Sequence, residues 1–213
     1  MVFPSLNNIQ TNALREITKI GSGHAANALS QLVKQQVMIH ITEIKIAKLS
    51  QILEIVGGTE ISVAAVYFQI FGDAQGNILL IFPEKSAEAL SSQLLKKKKQ
   101  EGILATVEGE SALKEVGNIL SGSFLNAFGS MVGLTLIPSI PYFIWDTAGT
   151  VMDYTSITHG QKGDLTLMLR TQLKTKKEDI QGHFFLLPSP QSLSIILKAV
   201  GQRQKSRKEP GKS

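Results

Sequence analysis

Apolar positions recur at helical spacing from about Asn7 to Val33 and again from Val107 to Met131, which predicts two long helices. Val37 to Ile46 alternates as a strand does. Ile61 to Phe71 and Asn77 to Phe82 read as two strands joined through the turn residues Gly72, Asp73 and Gly76. Glu84 to Lys99 reads as an amphipathic helix with its lysines at the end favoured by the helix dipole. After the second long helix come a strand (Leu134 to Ile140), a proline-punctuated loop (Pro141 to Gly163), strands Leu165 to Leu173 and Ile180 to Leu187, and a helix from Gln191 to Val200. Helices and hairpin-linked strands in this order imply an α+β fold on an antiparallel sheet, with helices covering one face.

The order is told twice. Ala13 to Leu29 superposes on Ala112 to Phe128 at an offset of 99, with eight of 17 positions identical. Among them are Ala13/Ala112, Leu14/Leu113, Glu16/Glu115, Ser22/Ser121 and Gly23/Gly122. Gln75-Gly76, Leu79-Leu80 and Pro83 then match Gln181-Gly182, Leu186-Leu187 and Pro188. A single domain over residues 1–200, built from two repeats (about 1–100 and 101–200) under a pseudo-twofold relation, is therefore expected. Residues 201–213 are expected to form a basic, disordered tail.

Composition narrows the chemistry. With no cysteine, there is no disulfide framework, thiolate metal site or cysteine nucleophile; four scattered histidines suggest no metal site. The net charge of +5 sits in two runs, Lys96 to Lys99 and residues 201–213, each contributing +4, which leaves the body at −3. That pattern argues against a nucleic-acid face. No run reaches the roughly 18 apolar residues of a membrane span, so no membrane insertion is expected. Without cysteine or an export signal, a cytoplasmic location is expected.

Ser111, Glu115 and Asn118 fall within about 60° of one another on the second long helix, opposite Leu113, Val116, Leu120, Phe124 and Ala127. Asn12, Glu16 and Lys19 hold the same stripe in the first copy. The run from Ala112 to Gly122 (Ala-Leu-Lys-Glu-Val-Gly-Asn-Ile-Leu-Ser-Gly) closely resembles the signature helix of the CheC/CheX/FliY phosphatases. That pattern is Asp or Ser, three residues, Glu, two residues, then Asn, and Ser111, Glu115 and Asn118 match it in full. Length and duplication look most like CheC.

The resemblance implies a phosphatase that accelerates loss of phosphate from the phospho-aspartate of a CheY-like response regulator in chemotaxis or two-component signalling. It implies Glu115 and Asn118 as the catalytic pair, with Ser111 and Glu115 seating the regulator. The magnesium ion is expected in the regulator's own site, with no cofactor or metal here. Lys19 stands where the family has Asn, and a lysine is a donor-only cation. The first site, Glu16 and Lys19, is therefore expected to be degenerate. The alternative is a non-catalytic adaptor that binds a response regulator or a CheD-like deamidase.

Other features are read structurally. Gly21-Ser22-Gly23 lacks the Gly-Lys-Ser/Thr ending of a phosphate loop and suits close helix packing. His24 is read as structural, and Tyr142, Phe143 and Trp145 as core or rim rather than a partner-facing patch.

Overall fold

Val63 to Phe68, six successive residues of one strand, are all buried, so both faces of the sheet are covered. The computed structural model describes residues 6–48, 51–97, 100–158, 165–175 and 179–208. It runs α1 (Asn8–Val33), β1 (Val37–Lys48), α2 (Gln51–Val56), β2 (Ser62–Gly72), β3 (Gly76–Pro83), α3 (Glu84–Leu94) and α4 (Val107–Val132). Then follow β4 (Leu136–Pro138), β5 (Tyr142–Thr147), α5 (Ala148–Thr158), β6 (Leu165–Thr175), β7 (Asp179–Gln181), β8 (His183–Pro188) and α6 (Pro190–Lys208). The strands form one antiparallel sheet in the order β1-β6-β8-β3-β2-β4, with β5 also on β2 and β7 also on β6.

Strand alternation divides the core in two. Ala64, Val66, Phe68, Leu80, Phe82 and Phe184 pack beneath α1, α3, α4 and α6. Val63, Ala65, Tyr67, Leu79, Ile81 and Phe185 pack against α2 and α5. The expectation of helices on one face is therefore corrected: α2 and α5 close the other. Both were missed, as was β5, because α2 has fewer than two turns and α5 and β5 lie in the stretch read as loop.

The repeat is visible in the backbone. α1 and α4 have 26 residues each, with bounds offset by 99. The same offset relates their side-chain N-caps, Asn7 and Thr106, and their left-handed C-caps, Lys34 and Gly133. β1 slips register between Ile41 and Glu43, a bulge at Thr42 whose counterpart is Pro141. Proline has no N–H for the ladder, so the bulge of one copy becomes the break between β4 and β5 in the other. At the centre Leu79 pairs with Phe185 and Leu80 with Phe184. The offset that carries Pro83 to Pro188 exchanges these two pairs, so the pseudo-dyad passes between them.

Two helix ends differ from expectation. α3 stops at Leu94, and Lys96 turns left-handed (φ 53°), so the lysine run follows the helix rather than ending it; Lys98 and Lys99 lie outside the described residues. α6 continues to Lys208, past the expected Val200 boundary, so the segment read as a disordered tail is helical to that point. Residues 209–213 lie outside the described residues.

His183 carries a pH liability. It is 8% exposed, and its Nδ1 has no hydrogen-bond partner among the described residues. Burial, with the nearby Arg170 charge adding to it, pushes its pKa from 6.5 down to about 4. The unfolded chain therefore takes up a proton below about pH 6.5 that the folded chain refuses, and stability falls as pH drops toward 4. The loss approaches about 3 kcal/mol. His183→Phe should flatten this slope in urea unfolding at pH 4.5 and 7; an unchanged slope would assign it to other groups.

Candidate functional site on helix α4

α4 is fixed at its N-terminus by α3. The Glu88 carboxylate, 7% exposed, accepts the Gly102 N–H at 2.8 Å, where Gly102 turns left-handed (φ 75°) as its lack of a side chain permits. Ser91 Oγ donates to the Gly109 carbonyl at 3.3 Å. Thr106 caps the helix, its Oγ1 accepting from the Gly109 N–H at 3.1 Å. Glu110 and Lys114 form an ion pair one turn on.

The inner face of α4 is fully committed. Leu113, Val116, Leu120, Phe124 and Phe128 are buried, and the Phe124 ring lies 4.8 Å from that of Phe184. Gly117 brings the helix onto β2: a Cβ there would stand 2.8 Å from Val66 Cγ1 and 3.1 Å from Phe68 Cζ. Gly21 plays a similar part between helices, where a Cβ would meet Phe124 Cα at 3.2 Å.

Ser111, Glu115 and Asn118 are exposed on the outer face. Side chains one turn apart on one face can meet a single partner surface together. Gly122 extends the stripe by another turn, and a Cβ there would meet nothing within 4 Å. On α1, Asn12 and Lys19 are exposed and Glu16 is half-buried. His24, read as structural, is exposed. Trp145 is half-buried against the core and donates from Nε1 to Glu84 at 3.1 Å. Tyr142 is exposed and stacks on Tyr154, with ring centroids 5.2 Å apart. Among the described residues no three His, Asp or Glu side chains gather as a metal site, and no helix is long and apolar enough to cross a membrane.

Comparison with known proteins finds relatives for the chain that carries this stripe. The family model for chemotaxis phosphatase CheX matches residues 63–159, a stretch that contains α4 with all three stripe residues. The CheY-P phosphatase CheC of Bacillus subtilis is 28% identical over 94% of this chain and 98% of its own length. The chain is thus similar to the chemotaxis phosphatases CheX, over residues 63–159, and CheC, along nearly its whole length. Its fold is similar to that of Thermotoga maritima FliY, with a TM-score of 0.74 at 14% identity, covering 93% of this chain and 98% of that one. It is also similar to CheX in the Borrelia burgdorferi CheX–CheY–BeF3–Mg2+ complex, with a TM-score of 0.50 at 16% identity, covering 81% and 97%.

The two glycines of α4 should respond oppositely to alanine. Gly117→Ala overpacks the β2 contact, costing about 1–3 kcal/mol against a helix-propensity gain of about 1 kcal/mol. Gly122→Ala meets no neighbour and should gain up to about 1 kcal/mol. Chemical denaturation of the two variants decides; equal effects would mean that α4 does not rest on β2 as described.

Proposed function

We propose that this chain accelerates hydrolysis of the phospho-aspartate of a CheY-like response regulator, working from the outer face of α4. The observation that carries the reading is the complete Ser111, Glu115 and Asn118 stripe, exposed to solvent on a helix whose opposite face is locked into the core. The 28% identity to a CheY-P phosphatase along nearly the whole chain supports it.

An acyl phosphate already carries a good leaving group, and the regulator holds the magnesium ion that neutralises the phosphoryl oxygens. What remains is to place a water in line with the phosphorus. The Asn118 carboxamide both accepts and donates, so it can hold that water without adding negative charge beside the phosphoryl group. Glu115, an anion, would be repelled from the phosphoryl oxygens and serves better on a cation of the regulator, its active-site lysine in the family's pattern. Ser111, one turn earlier, extends the same contact surface. Water attacks phosphorus, the phosphorus–oxygen bond to the aspartate breaks, and inorganic phosphate and a free carboxylate result.

Lys19 at the position of Asn118 leaves the first copy without an acceptor for water, so one working site per chain follows. The regulator and this chain would meet in the cytoplasm. A CheD-like partner belongs to the adaptor alternative, which predicts stoichiometric regulator binding with no faster phosphate loss.

With phosphorylated regulator in excess, Asn118→Ala should lower the rate of phosphate release by about 100-fold or to the regulator's own rate. Glu115→Ala should instead chiefly weaken saturation by the regulator. Full activity in Asn118→Ala would overturn the assignment. Lys19→Asn should raise the rate per chain, and no gain would place a further defect on α1.

A further inference from the structure

We propose that the groove between α1 and the edge strand β1 binds a small alkyl phosphate. The groove has a volume of about 350 Å³, within the roughly 300 to 1,000 Å³ range of small-molecule sites. Arg15 and Lys19, exposed and one turn apart on α1, line one wall, and the edge of β1 over residues 39–44 lines the other. Thr18, Ser22 and Thr42 complete the polar lining. Glu43 is the acidic group of the groove, and Lys45 Nζ holds its carboxylate at 3.0 Å.

Two like charges at i and i+4 on a helix cost stability unless an anion lies between them. Neither ion pair described above, Glu43–Lys45 or Glu110–Lys114, takes up Arg15 or Lys19. Two cations one turn apart suit a dianion better than a monoanion, and the guanidinium fork matches phosphate oxygens.

The floor adds an apolar requirement. A pit of about 20 Å³ shares Thr18, Ser22, Ile39 and Ile41 with the groove and is walled below by Gly21, Phe124 and Phe184. That is room for a methyl-sized group. Symmetry shows that the fold does not require this cluster. At equivalent positions the second copy has Asn118 for Lys19, Ser139 for His40 and Pro141 for Thr42. Its Lys114, the counterpart of Arg15, is taken by Glu110, where the first copy has Thr11. The paired cations belong to α1 of the first copy, and the proposal is independent of catalysis on α4.

Calorimetric titration of the full chain with ethyl phosphate, inorganic phosphate and propionate tests the site. Ethyl phosphate should bind saturably at one site per chain, at least threefold more tightly than either of the others. The double variant Arg15→Gln, Lys19→Gln should weaken it tenfold or more while keeping the wild-type circular dichroism. Because both side chains are exposed, that control separates loss of binding from loss of fold. No saturable binding, or unchanged binding in the folded double variant, overturns the site. Equal affinity for inorganic phosphate overturns the role of the pit, and equal affinity for propionate overturns the preference for a dianion.

Discussion

The antiparallel pairing of β3 with β8 is the contact on which the rest of the molecule depends. One strand comes from each copy, both are buried on both faces, and the pseudo-dyad runs between them. Outward from this pair the copies exchange edges: β1 of the first half pairs with β6 of the second, and β4 and β5 pair with β2. A half taken alone would leave long apolar strand edges unpaired, the condition under which sheets aggregate. The duplication is thus one cooperative sheet rather than two beads joined by a linker, and the dyad sets α1 against α4 on a single face.

That arrangement decides which side chains are free for chemistry. The inner side of α4 is filled by contacts to β2, β8 and α1, down to the missing side chain at Gly117. Its outer side contributes nothing to the core, so Ser111, Glu115 and Asn118 are held rigidly by a helix that does not need them. Rigid presentation suits a water-positioning role, since the geometry is set before the partner arrives. The caps at Thr106 and Gly133 and the Glu88 anchor at Gly102 fix where along the molecule the stripe stands.

Most of the fold was legible wherever the pattern was long. Residues 8–33 and 107–132 were expected as helices almost to the residue because two diverged copies reported the same apolar face. β2 and β3 were plain as apolar runs between turn residues. Short elements were not: α2 has six residues and β5 follows two prolines, so neither spans enough periods for a pattern to register. The helical extension of α6 to Lys208 was hidden because its polar, basic composition gives no apolar stripe. The α4 stripe could be read because its spacing lies within one helix. The cationic groove could not, because its second wall exists only when β1 folds back alongside α1.

Comparing the two copies separates what the fold requires from what it leaves open. Inward positions are kept: Ala13 and Ala112, Leu14 and Leu113, Ile17 and Val116 are all buried and nearly the same in kind. Outward positions on the same two helices have drifted in charge, Thr11 against Glu110 and Lys19 against Asn118, or in polar type, Asn12 against Ser111. Exchanging a neutral amide for an ammonium at an exposed helix site alters little in the packing. It does alter the sign of charge that the surface will accept, and whether a water can be held by an acceptor. Since β3 and β8 bind the two copies to one backbone, such exchanges act on ligand chemistry while leaving the scaffold unchanged. Two helices of the same length, capped at equivalent positions, can therefore present surfaces that differ in charge and in hydrogen-bonding capacity.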